Sequence, residues 1–237
     1  MAISLTNFQS LNFQAVIFTE NANNRVDKIL KWLPLQWANR LPEPKVLGFE
    51  LPLEVPLISW QNDKKLWGAS VAQTSFSVTW RNLLSAPDEG IAIDEFLKRA
   101  TPFLLSYKKH FKLRVHRIGF VCQRFTRQKN PAKMLAEHFC KSEWIKGPLN
   151  RPEYFEMHSH KRFDLPGSEK INSWMRIKVV KLIQAVQSND PVIVAEQDFN
   201  TLEDAPERSC KDSDISKFFD ACPDEIDKVL DLYFPAA

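Results

Sequence analysis

Glu156, His158 and His160 alternate along the stretch EMHSH. On a strand, residues two apart point to the same side, so these three share one row with Tyr154 and Arg162. Two imidazoles and a carboxylate form a ligand set that suits zinc or another divalent ion. Donors from a single strand splay apart, so a metal site also needs a ligand from a neighbouring strand, and Asp198 in PVIVAEQDF is the candidate. With that ligand the chemistry would be that of a metal-dependent hydrolase or nuclease. Without it the row is the polar face of a half-exposed strand, and no cofactor is implied.

Nucleophilic chemistry has less to stand on. No G-x-S-x-G elbow and no phosphate-binding P-loop occurs, and the chain has only six glycines against fifteen prolines. Cys122 and Cys222 lie among apolar residues, which favours inert buried thiols. None of the four cysteines forms a C-x-x-C pair, which reads as reduced thiols in an intracellular protein.

Charge is the sharper signal. Between Phe96 and Ala136 there is no acidic residue, while eleven are basic. Lys108, Lys109, Lys112, Arg114, Arg117, Arg124 and Arg127 form the centre of this tract, interleaved with Phe111, Phe120 and Phe125. They are the candidate contacts to phosphate or carboxylate. From Gln187 to Ala237 the balance inverts to thirteen acids against four bases, so the formal net charge of +3 hides a dipolar molecule. Two readings follow: the tract engages a nucleic acid or an acidic protein, or it meets the acidic C-terminal half within the fold.

The elements that must position these groups can be placed by periodicity. FQAVIF (13–18) reads as a strand, and a helix at 22–33 carries Val26, Ile29, Leu30 and Leu33 at helical spacing, with Pro34 as its stop. Prolines 42, 44, 52 and 56 limit the segment 42–60 to short or edge strands. KLWGASVAQ and SFSVTWR are two strands separated near Thr74. A helix over 92–110 contains Pro102, and a strand over 111–125 changes parity near His116 and Arg117, which predicts a bulge or bend. A helix at 131–142, strands at 153–163, 171–183 and 191–199, and a helix at 212–233 complete the chain.

KFFDACPDEI in the last helix echoes EFLKRATPFL, setting Ala221-Cys222-Pro223 against Ala100-Thr101-Pro102. Each proline reads as a bend, or as a break between two short helices. The order strand, helix, several strands, helix occurs twice, which predicts an α+β protein of two related halves, 1–110 and 111–237. Each half would be an antiparallel sheet covered on one face by helices, the two joined into a longer curved sheet. Coincidence between two unrelated helical segments is the alternative. This order resembles the duplicated TATA-binding-protein-like fold.

The run SFSVTWRN, a helix, LRVHRIGFVCQRF, then VIVAEQDFN and a last helix is similar to a sporadically distributed prokaryotic family of uncharacterised proteins. The resemblance implies a bacterial or archaeal cytoplasmic protein from a mobile-element, phage or antiphage-defence setting. It supplies no active-site residues. The hydrophobic fraction of 44% and charged fraction of 26% are those of a globular chain, and no apolar run reaches the ~18 residues of a membrane span. The expectation is a cytoplasmic, non-enzymatic protein that binds a protein or nucleic acid away from membranes. A homo-oligomeric scaffold is a third reading.

Overall fold

Phe13, Ala15 and Ile17 alternate along Gln9–Thr19, the first strand, β1. They sit opposite Trp80, Val78 and Phe76 of β5 (Ser75–Arg81) on one side and Cys122, Phe120 and Ile118 of β6 (Val115–Thr126) on the other. Nine apolar side chains from three strands thus share one face, because side chains alternate with a period of two and the register keeps their parity. Around this centre the computed structural model, which describes residues 3–20, 26–36, 45–46, 53, 55–62, 66–82, 90–181, 191–203 and 207–235, builds a single antiparallel sheet.

The remaining strands are β2 (Lys45–Val46), β3 (Ile58–Gln61), β4 (Trp67–Val71), β7 (Glu156–Asp164), β8 (Lys170–Lys181) and β9 (Pro191–Thr201). The order among the described residues is β2-β3-β4-β5-β1-β6-β9-β8-β7. From β1 outward it runs β5, β4, β3, β2, and from β6 outward β9, β8, β7. Helices α1 (Val26–Gln36), α2 (Ile93–Phe111), α3 (Pro131–Phe139), α4 (Ser142–Lys146) and α5 (Asp212–Tyr233) make the protein α+β. No helix among the described residues is long and apolar enough to cross a membrane.

The core lies between one face of the sheet and the helices. Trp32 of α1 stacks on Phe103 of α2 at 5.6 Å, and Tyr107 of α2 stacks on Phe76 at 4.0 Å. Phe96 of α2 meets both Phe13 and Phe120, at 5.5 and 6.0 Å. From α5, Phe218, Phe219 and Cys222 enter the same cluster, while Leu135 of α3 packs with Ile177, Ile193 and Ala195 in a second one. Deleting a fully buried ring such as that of Phe13 costs about 3–5 kcal/mol, several times the net value of one hydrogen bond.

Several elements differ from their sequence-based bounds. Neither proline breaks its helix: α2 and α5 are continuous through Pro102 and Pro223. Pro102 lies on the solvent side, where water can satisfy the Lys98 carbonyl that loses its helical donor. Likewise α1 extends two residues beyond Pro34, and positions 22–25 of its expected start lie outside the described residues. The first strand extends to Gln9 across a register shift between Ser10 and Asn12, with Gln9 and Asn12 on the face away from the helices and Ser10 opposite Arg124. Phe111 closes α2 instead of opening β6. Lys112, at φ 53°, reverses the chain there, and the Leu113 amide caps the Lys108 carbonyl at 2.9 Å. The parity change near His116 is present: Phe18 pairs with Arg117 and Thr19 with Val115, leaving His116 as the extra residue of a bulge.

Candidate functional site

The basic tract does not form one surface. Lys108 on α2 pairs with Asp212 at the start of α5. Arg114 binds Glu20 at 2.6 Å and the Arg208 carbonyl at 3.3 Å. Arg117 pairs with Glu203, donates to Asn200 Oδ1 at 3.0 Å and lies 4.9 Å from the centre of the Phe18 ring. Arg124 has the opposite parity, is buried under α5 and pairs with Asp227. Arg127 lies 5.2 Å from the Phe125 ring, and Lys109 and Lys112 are exposed at the C-terminal end of α2. Four of the seven candidates therefore meet carboxylates brought from far along the chain, three of them from the acidic C-terminal part.

The Glu156, His158 and His160 row lies on β7, at an edge of the sheet. Glu156 accepts hydrogen bonds from the Tyr154 hydroxyl and pairs with His158. Those two contacts hold its carboxyl below the ordinary value of 4.5. His160 is turned to other work: its ring stacks on Trp174 of β8 at 4.1 Å and 19°, and its Nε2 bonds Asn172 Oδ1 at 3.1 Å. Asp198 is two strands away, with Trp174 between it and His160 in the register. Among the described residues no three His, Cys, Asp or Glu side chains come together to hold a metal. Cys122 and Cys222 are fully buried between sheet and helix, where burial pushes the Cys122 thiol up to about 11 and raises that of Cys222 as well.

What the fold does assemble is the face of the sheet turned away from the helices. Its central stripe in the C-terminal part is β8, where Lys170, Asn172, Trp174, Arg176 and Lys178 alternate with the core residues Ile171, Ser173, Met175 and Ile177. No acid interrupts this row. Trp174 is half-buried, flanked by the His160 ring on one side and by the Arg176 guanidinium, 5.8 Å from the ring centre. The acids on the neighbouring strand are engaged locally. Glu196 accepts from Gln123 at 2.7 Å and pairs with Arg176, and Asp198 accepts from Asn200 at 2.9 Å. Asn172 accepts from Arg162 Nε at 3.1 Å and donates to Asn200, whose amide oxygen also receives Arg117.

The other half of this face is different in kind. Gln14, Ser70, Ser77 and Thr79 line it, and Ser70 and Ser77 share a 2.8 Å hydrogen bond. The His160 and Trp174 stack lies over β7 and β8, while Phe125, Val192 and Val194, with Leu11 and Val180, form a small buried apolar cluster farther along the same face. Sequence reasoning recognised β8 as a strand but not Trp174, Arg176 or Lys178 as surface residues. The signal was a tryptophan on the polar phase of an alternating strand, where a core residue would take the other phase.

A scan against protein-family models and a search of the curated proteins find no match to this chain.

Proposed function

We propose that the protein is a non-enzymatic binding protein whose uncovered sheet face, centred on β8, engages an acidic macromolecule. The observation that carries this reading is the acid-free row Lys170, Asn172, Trp174, Arg176 and Lys178 on the face opposite the one that α1, α2, α3 and α5 pack against among the described residues. A sheet needs one buried face for stability, and on the other Trp174 stays half-buried, packed against His160 and Arg176. The basic tract contributes mainly to the fold, through Lys108, Arg114, Arg117 and Arg124, and adds Arg127 at the end of the same face.

The halves 1–110 and 111–237 are, in this reading, two copies of one architectural unit, as in the TATA-binding-protein-like arrangement. In support, the strand order runs outward from the β1 and β6 pair in matching sequence, and Pro102 and Pro223 lie near the middle of helices that pack on each other. The charged stripe then belongs to one copy and the hydroxyl-lined surface to the other.

The test uses three polyanions: a single-stranded oligonucleotide, a duplex and a polyglutamate peptide. At least one binds at low salt, and the double change Lys170→Glu with Lys178→Glu weakens it, whereas Lys109→Glu with Lys112→Glu, at the exposed end of α2, does not. No binding of any of the three, or loss only in the second variant, refutes the assignment of the face.

A further inference from the structure

Within that reading, we infer that the acidic partner is a single-stranded nucleic acid and that the His160 and Trp174 stack is its base-binding platform. The inference rests on the sheet face being the contact surface, and adds the chemical class of what it holds.

The stack is preorganised. Trp174 stacks on the imidazole of His160, and the guanidinium of Arg176 lies 5.8 Å from its ring centre. His160 is exposed, and the Asn172 hydrogen bond holds its ring parallel to the indole, with its outer face open. A nucleobase laid on His160 becomes the next layer of an existing column. Every base has such a π face, which makes the contact tolerant of sequence.

The cations are placed to follow a backbone. Alternate residues of a strand are separated by about 6.6 Å, so Lys170 and Lys178 mark the ends of a row about 26 Å long with Trp174 midway. Arg162 and Arg176 lie nearest the stack, and Lys170 and Lys178 sit opposite Asp164 and Glu156 of β7 in the register; Glu196, Asp198 and Glu156 also bond Arg176 and Gln123, Asn200, and Tyr154 and His158. Phosphates neutralised along such a row release counterions, so binding weakens as salt rises.

The aromatic column decides among polyanions. A duplex keeps its base faces inside its own stack, and an acidic peptide offers carboxylates but no base to lay on the imidazole. Only a single strand satisfies both the lysines and His160.

The test is fluorescence anisotropy with the full chain and dye-labelled oligothymidylate and oligouridylate of about a dozen nucleotides, beside a duplex and polyglutamate. His160→Ala lowers single-strand affinity roughly 5- to 150-fold, and His160→Phe restores most of it. Lys178→Ala lowers the slope of log affinity against log salt by about 1. His160 is exposed, so the alanine variant keeps its fold, which a thermal melt checks. Single-strand binding unchanged in His160→Ala overturns the inference. Duplex or polyglutamate binding as tight as single-strand binding also overturns it, yet leaves the surface standing if Lys170→Glu with Lys178→Glu still abolishes it. Failure to bind any polyanion overturns both.

Discussion

Removing the carboxylate of Asp227 tests whether the basic tract serves the fold. Arg124 is only 7% exposed and lies between β6 and α5, where the Asp227 carboxylate is its charge partner. Asp227→Ala leaves the guanidinium in place beside the Cys122 thiol. Breaking a buried ion pair from one side costs about 3–5 kcal/mol because the other charge stays behind. The Asp227 side chain is 54% exposed, so water already screens much of the pair and enters once it is gone. That brings the expected cost to about 1.5–3 kcal/mol, the range of a hydrogen bond to a charged group. For a chain of this size the melting temperature then falls by about 3–12 °C. Circular dichroism melts of wild type, Asp227→Ala, Arg124→Met and the double variant measure it. The double variant recovers most of the loss, since methionine fills the space without a charge. Arg124→Met leaves polyanion binding unchanged, because Arg124 faces the helices. An Asp227→Ala protein that melts within about 1 °C of wild type refutes the reasoning.

Two further outcomes follow from the buried groups. In the native protein a thiol reagent modifies Cys140 first, while Cys122 and Cys222 react only on unfolding; prompt labelling of either contradicts their place between the sheet and α5. Burial pushes the Glu196 carboxyl up, but the hydrogen bonds from Gln123 and Arg176 outweigh it and leave it below its ordinary value of 4.5. Its native form is therefore more acidic than its unfolded form, so its contribution is complete above 4.5 and is lost as pH falls through the lower native value. Denaturant midpoints measured across that window show a smaller acid loss for Glu196→Gln than for wild type, and equal losses refute the pairing.

Much of the architecture was legible because hydrophobic parity is a local property. SFSVTWR forms β5 as read, α5 has its expected bounds, and the parity change at His116 marks a real bulge. Proline was the weaker guide. A single missing hydrogen bond on an exposed face is compensated by packing on the opposite face, so α2 passes through Pro102. The short helix α4 was missed because Ser142–Lys146 is too brief to show a period. At the surface, the basic residues could be counted but not assigned. The partners of Lys108, Arg117 and Arg124 are 104, 86 and 103 residues away, and only sheet register and helix packing bring them together. For the same reason the Glu156, His158 and His160 row was readable as a row, whereas the Trp174 ring that takes His160 belongs to the next strand.

The central position of β1 governs when the sheet can be completed. Its partner β6, which pairs along almost its whole length, is made roughly a hundred residues after it. At about 5–20 residues per second, the growing chain waits on the order of 5–20 s with one side of β1 unpaired. Closing so long a loop adds little to the entropic cost, which grows only with the logarithm of its length, but it makes the pairing slow. The ladder that joins the two parts of the sheet is thus a late event on the ribosome, and β1 is the segment that nascent-chain chaperones have most reason to cover.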